Sequence, residues 1–201
     1  MTDNTDTVNL IERAGKGALE AGGPEDAIAA IVSEYFEVLG DRQAHLAEGA
    51  LKENERQYFV AGAFMVTPDT RYHMLVGNRG FPPEQRRLTI PIDAAHPGWV
   101  FENRAPLILR NTDDHGEFRQ YLRSSRMGSS IYAPMIWRGH FHGQLVMAAQ
   151  ARWTMREEDL KVLRALATLA MAAWIAHDGP AWLSEEYPPE DADLLDHQGV
   201  S

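Results

Sequence analysis

Apolar residues recur along this chain in two periods, and the switch between them outlines its elements. Ile28, Ile31, Val32, Tyr35, Phe36 and Leu39 share one face at a spacing near 3.6 residues, which predicts an amphipathic helix. Gly23-Pro24-Glu25-Asp26 opens it: Pro suits the first helical position, and acids favour the positive end of the helix dipole. Gly40 is its natural stop. Before it, Gly15, Gly17, Gly22 and Gly23 interrupt the spacing of Val8, Ile11 and Leu19, so residues 1–22 read as an N-terminal arm. A further helical stretch is expected over 42–53, with few apolar residues beyond Leu46 and Leu51.

From Gln57 the period falls to two. Residues 57–67 and 71–77 read as a hairpin across Pro68-Asp69-Thr70, and a short strand follows at 88–92. His96-Pro97-Gly98-Trp99-Val100-Phe101 predicts a short helix, and 105–109 a short extended piece. The polar, arginine-rich stretch 111–127 reads as a loop with one helical turn around Phe118 to Leu122. A second hairpin, 129–137 with 141–150, turns at Arg138-Gly139-His140. The closing helix is expected to start at Thr154-Met155-Arg156-Glu157, read as a capping box, and to run to about His177. Its stripe of Leu160, Leu163, Leu166, Ala167, Ala170 and Trp174 is widened by Val162, Leu169, Ala173 and Ile175, enough to cover a sheet and also meet a partner. The acidic tail, 179–201, offers only Trp182, Leu183, Leu194 and Leu195 as anchors.

This order of elements resembles that of GAF domains. Leu88-Thr89-Ile90-Pro91, then Gly98-Trp99-Val100-Phe101 and Pro106-Leu107-Ile108-Leu109, is similar to the family's middle section. Ser130-Ile131-Tyr132-Ala133-Pro134-Met135-Ile136, Gly139 and Gly143-Gln144-Leu145-Val146 resemble its last hairpin, and 154–170 its C-terminal helix. The resemblance covers about residues 25–177. It implies an α+β, PAS-related fold: a central antiparallel sheet, N- and C-terminal helices on one face, and a ligand pocket on the other under an irregular segment. The domain is expected to span 23–178. The resemblance also implies a sensory or regulatory role and pairing through the terminal helices as a homodimer.

Composition narrows the chemistry. The 201 residues are 44% hydrophobic and 24% charged, with no apolar run near the roughly 20 residues a membrane span needs. There is no cysteine, which removes disulfides, thiolate metal sites and catalytic thiols, and with them cysteine-dependent methionine sulfoxide reductase chemistry and thioether-linked bilins. The start of the chain lacks the basic and apolar stretches of a signal peptide, so a cytoplasmic protein is expected. Net charge is −10, unevenly spread: residues 1–56 and 165–201 each carry −7, whereas 57–164 hold 14 basic and 10 acidic side chains. Acidic flanks around a mildly basic centre suit a small anion and speak against nucleic acid, which requires a concentrated basic face.

Arg104, Arg110, Arg119, Arg123 and Arg126 sit in or beside the irregular segment, against the acids Asp113, Asp114 and Glu117. Guanidinium forks suit carboxylate, phosphate or nitrate. Arg110, Arg126, Ser129 and Ser130 are therefore the candidate anion-binding groups, and His73, Trp99, Tyr121 and Tyr132 the candidate walls and donors. The cyclic-nucleotide signature of the family is not found. His140-Phe141-His142 places two imidazoles on one strand face, and His73 or His96 offers a haem ligand, but satisfied polar residues are the preferred reading of these, so no metal site is assigned. No nucleophile elbow, His-Glu-x-x-His or phosphate loop occurs, so no catalytic residue is assigned and the chain is expected not to be an enzyme. The expectation is a GAF-type sensor for a small anionic ligand, of unknown cofactor, signalling to a separate protein. The alternatives are a ligand-free dimerisation scaffold, a haem or metal sensor, or a cysteine-independent enzyme.

Overall fold

Alternation along the strands gives this protein one sheet with two unlike faces. The computed structural model describes residues 4–116 and 118–200; Glu117, Ser201 and the first three residues of the arm lie outside the described residues. The strands are Phe59–Val66 (β1), Tyr72–Arg79 (β2), Arg87–Pro91 (β3), Leu107–Leu109 (β4), Ser129–Trp137 (β5), His140–Ala149 (β6) and Ala192–Leu194 (β7), ordered β4-β5-β6-β1-β2-β3-β7. All neighbours are antiparallel except β7, which joins β3 in parallel. The fold is α+β, as expected.

One phase of the pleat, including Ala61, Ala63, Met65, Met74, Ile131, Ala133, Leu145 and Met147, faces the helices Asn4–Glu20 (α1), Pro24–Val38 (α2), Glu157–Ala176 (α4) and Gly179–Glu186 (α5). Burying each such Leu, Ile or Met side chain contributes roughly 1.5–3 kcal/mol. Tyr35 of α2 is wholly buried, its hydroxyl 3.0 Å from the Gly62 carbonyl and 3.1 Å from that of Val146, which pins α2 where β1 bulges. The opposite phase, with Phe64, Leu75, Leu88, Ile90, Tyr132 and Val146, forms a smaller core under Ala95–Asn103 (α3) and the irregular segment.

Several local expectations are corrected. Residues 4–20 of the arm are helical, and Leu10, Ala14 and Ala18 are buried against α2 and α4. The glycines that read as breakers permit this approach: a Cβ on Gly17 would lie 3.1 Å from Ala30 Cβ, so tertiary contact overrides intrinsic propensity. The helix expected over 42–53 is only a 3-10 turn, Ala44–Leu46, cut short before Gly49 and Asn54, which hold positive φ. No turn of helix forms at 118–122; the short 3-10 turn is Thr112–Asp114, capped by the Asn111 side chain accepting from the Asp113 amide. The closing helix starts at Glu157, and Thr154 does not cap it, since its hydroxyl donates to the Ala151 carbonyl at 2.8 Å. Asp159 takes that role, accepting from the amides of Arg156 (2.9 Å) and Gly40 (3.1 Å). The tail carries α5 and β7, anchored by buried Leu183 and by Trp182 edge-on to Trp174, whereas Leu194 is 58% exposed. Among the described residues no single helix is long and apolar enough to cross a membrane.

Candidate functional site

The smaller core closes around a chamber of about 70 Å³. Its floor is the outward phase of the strands: Val60 and Phe64, Leu88 and Ile90, Tyr132, Val146 and Ala148. Phe81 and the His96-Pro97 start of α3 wall it, and residues 118–122 with Met127 cover it. The volume equals about two water molecules' share of liquid, far below the roughly 300 Å³ at which small-molecule pockets begin, so residues 118–122 leave little free space over the floor.

α3 is held close by Gly98, where a Cβ would lie 2.2 Å from the Asp93 carbonyl carbon. The root of the cover is fixed by Asp113, which accepts from Lys52 (2.7 Å), Arg126 (3.1 Å) and Arg152 (3.0 Å). Burial alone would raise the Asp113 carboxyl, but these three cations outweigh it and hold the pKa at about 2. Arg152 is 1% exposed and also pairs with Glu55. No signal in the sequence singled it out.

Two phenols carry the polarity of the chamber. Burial pushes Tyr121 up to about 12, with Arg119 pulling weakly the other way. Burial likewise pushes Tyr132 up to about 12, eased by the nearby Ser130 hydroxyl. Both are therefore neutral donors at pH 7. The Tyr121 hydroxyl is buried without a hydrogen-bond partner among the described residues. Such groups are rare in folded proteins and each costs about 1–3 kcal/mol. Arg119 lines the rim, exposed and without an ion pair among the described residues.

Of the residues singled out in the sequence, Tyr121 and Tyr132 meet at the chamber and Ser130 lies beside Tyr132 on the same strand face. The others do not converge there. His73 is wholly buried under α3, donating from Nε2 to the Ile92 carbonyl at 3.0 Å, edge-on to Phe101 and Phe141. Its burial lowers its pKa to about 4. Trp99 is on the outer side of α3, 42% exposed. Arg110 points to solvent 3.6 Å from Glu157, and Arg126 lies over Phe118 outside the cover, paired with Asp113. Ser129 is on the helix face, where its hydroxyl accepts the Met155 amide at 3.1 Å. Strand alternation explains this split, since residues 129 and 130 must face opposite ways. The lining residues not anticipated, Phe64, Phe81, Leu88, Ile90 and Val146, were legible as the second apolar phase of the strands. Among the described residues no three metal-ligating side chains gather in one place.

The sheet thus carries its terminal helices on one side and an apolar chamber on the other. The chain belongs to the GAF domain family, whose model matches residues 24–174. Among solved structures, it is similar to the GAF domain of a phosphoenolpyruvate-protein phosphotransferase from Coxiella burnetii, with TM-score 0.70 and 17% identity over 90% of this chain and 99% of that one. The corresponding Acinetobacter domain gives TM-score 0.70 and 16% identity, over 89% and 96%. A free methionine-R-sulfoxide reductase from Neisseria meningitidis, solved with its substrate, gives 0.69 and 15%, over 90% and 95%. No curated protein matches the sequence. These neighbours overturn the expectation that the chain is not an enzyme: the fold carries catalysis in the reductases and none of the motifs sought in the sequence decides the matter.

Proposed function

We propose that this GAF domain senses a small, neutral, largely apolar ligand carrying one hydrogen-bond acceptor, taken up in the chamber under residues 118–122. The observation that supports this is the Tyr121 hydroxyl, buried without a hydrogen-bond partner among the described residues, in a chamber lined mostly by apolar side chains. A ligand acceptor there would relieve its desolvation cost. The anionic ligand expected from the arginines finds less support: Arg110 and Arg126 point away, and the burial that raises both phenols would penalise a carboxylate equally. Occupancy would reach a protein partner through the helix face, where Gly15, Ala18 and Leu19 of α1 and Leu169, Ala172 and Ala173 of α4 line an apolar groove of about 180 Å³. Leu19 is 84% exposed there, which suits a homodimer with a second copy across this groove.

Thermal melts with phenol, p-cresol and anisole, set against benzoate and nitrate, test the reading. Neutral rings at a hundred times their Kd should stabilise by about 2.7 kcal/mol. Stabilisation by the anions alone would refute it.

A further inference from the structure

The acidic tail crosses the chamber's cover and is fastened to it, although it lies beyond the matched part of the family. β7 pairs with β3 in the register Arg87 to Ala192, Leu88 to Asp193 and Thr89 to Leu194. Leu88 faces the chamber core, so alternation sends Asp193 and Leu195 to that same side, and Leu195 packs into that core. The Leu195 amide donates to the Thr89 carbonyl at 2.9 Å, which continues the attachment past the strand.

From this edge the tail grips residues 120–123. Asp193 accepts two bonds from the Arg123 guanidinium, 2.7 Å from Nη2 and 3.2 Å from Nε. It also accepts from Gln85 Nε2 at 3.1 Å. Gln85 is fully buried, and it ties down the cover as well, through the Tyr121 carbonyl (2.8 Å) and the Arg123 amide (2.7 Å). Farther on, the Val200 amide donates to the Gln120 carbonyl at 2.7 Å. Gly199 makes this approach feasible: its φ is +73 degrees, and a Cβ there would lie 2.2 Å from the Gln120 oxygen. Gln120, Tyr121 and Leu122 are the residues that shut the chamber. The charge pattern of the chain follows from this docking, since Asp191 and Asp193 of the acidic flank meet Arg86 and Arg123 of the basic centre.

We propose that residues 192–200 are a strap that holds residues 120–123 down over the chamber and thereby governs its opening. The inference rests on the chamber being the ligand site. Releasing the strap frees the cover, so whatever competes for Arg123 or for the β3 edge raises access to the chamber.

Met127 reports opening, because it lines the chamber at 5% exposure, and peroxide converts an exposed Met to its sulfoxide, releasing water. Met74 and Met147, both fully buried on the helix face, report global unfolding. In the full-length chain, oxidation is followed by peptide mass spectrometry for the wild type, Asp193→Asn and Gly199→Ala. Asp193→Asn should speed oxidation of Met127 roughly threefold, the worth of a half-exposed ion pair. Gly199→Ala should speed it roughly tenfold, the worth of a side chain forced into the left-handed region. Met74 and Met147 should keep their wild-type rates. Unchanged Met127 rates in both variants, or a rise that Met74 and Met147 share equally, would overturn the strap. No ligand enters this readout, so a chamber that binds nothing leaves its result standing, and a failed strap leaves the ligand titrations to decide the site.

Discussion

Tyr121→Phe removes a single oxygen from the chamber wall and separates the cost of that oxygen from its use. In the ligand-free protein the hydroxyl is buried without a partner among the described residues, and it stays protonated because burial pushes its pKa up to about 12. A buried hydroxyl without a partner costs about 1–3 kcal/mol; because the rest of the Tyr121 side chain is only half-buried, the lower end applies, about 1 kcal/mol. The variant should therefore be more stable than the wild type, with a Tm higher by roughly 2–4 °C for a chain of this size. The same substitution removes the unpartnered donor assigned to the ligand acceptor, worth about 0.5–1.5 kcal/mol, so affinity for phenol or p-cresol should fall roughly three- to tenfold. Calorimetric melting of the two proteins without ligand, followed by isothermal titration, measures both quantities. A lower Tm in the variant would mean that the hydroxyl is satisfied in the free protein, and unchanged affinity would mean that the ligand does not use it. Either result refutes the reasoning.

Other consequences follow from the same geometry. His73 has a folded pKa of about 4 against about 6.5 unfolded, so the unfolded chain binds the extra proton first; stability is complete above pH 6.5 and falls, by up to about 3 kcal/mol, as pH drops toward 4. His73→Phe should flatten that acid limb in urea titrations, and an unchanged limb would exclude His73 as its source. Arg152→Met strands Glu55 and Asp113 without their buried partner and should cost about 3–5 kcal/mol, lowering Tm by roughly 10 °C. Leu19→Glu, on the exposed face of α1, should convert a dimer to monomer by light scattering without lowering the Tm of the monomer; an unchanged mass would place the dimer contact elsewhere.

The fold was legible because turns and periodicity coincide. Pro68-Asp69-Thr70 and Arg138-Gly139-His140 sit between apolar runs of period two, and β5 spans 129–137 as the alternation predicts. What the sequence concealed depends on contacts between distant residues. Gly15 and Gly17 look like helix breakers until α2 and α4 are seen against them. Asp159 displaces Thr154 as the cap because Gly40, over a hundred positions away, offers it a second amide. In the chamber, the bias toward arginine misled: long cations reach acids at the surface, as Arg126 reaches Asp113, while the lining comes from the outward phase of strands whose inward phase draws the eye first. The two tyrosines were recognisable because each joins an apolar body to a polar tip. In the acidic tail only Trp182, Leu183, Leu194 and Leu195 stood out as anchors, and β7 went unseen because it is only three residues long and takes its order from β3.

The central claim is that the chamber under residues 118–122 takes up a ligand, and methyl NMR of the full-length protein titrated with p-cresol tests it most directly. Leu88, Ile90, Leu122, Met127 and Val146 line the chamber, while Leu19 and Leu169 lie in the groove on the opposite face. The account predicts saturable shifts at the first group with the second unmoved. Shifts confined to Leu19 and Leu169, or none at the chamber methyls at any concentration, would contradict it.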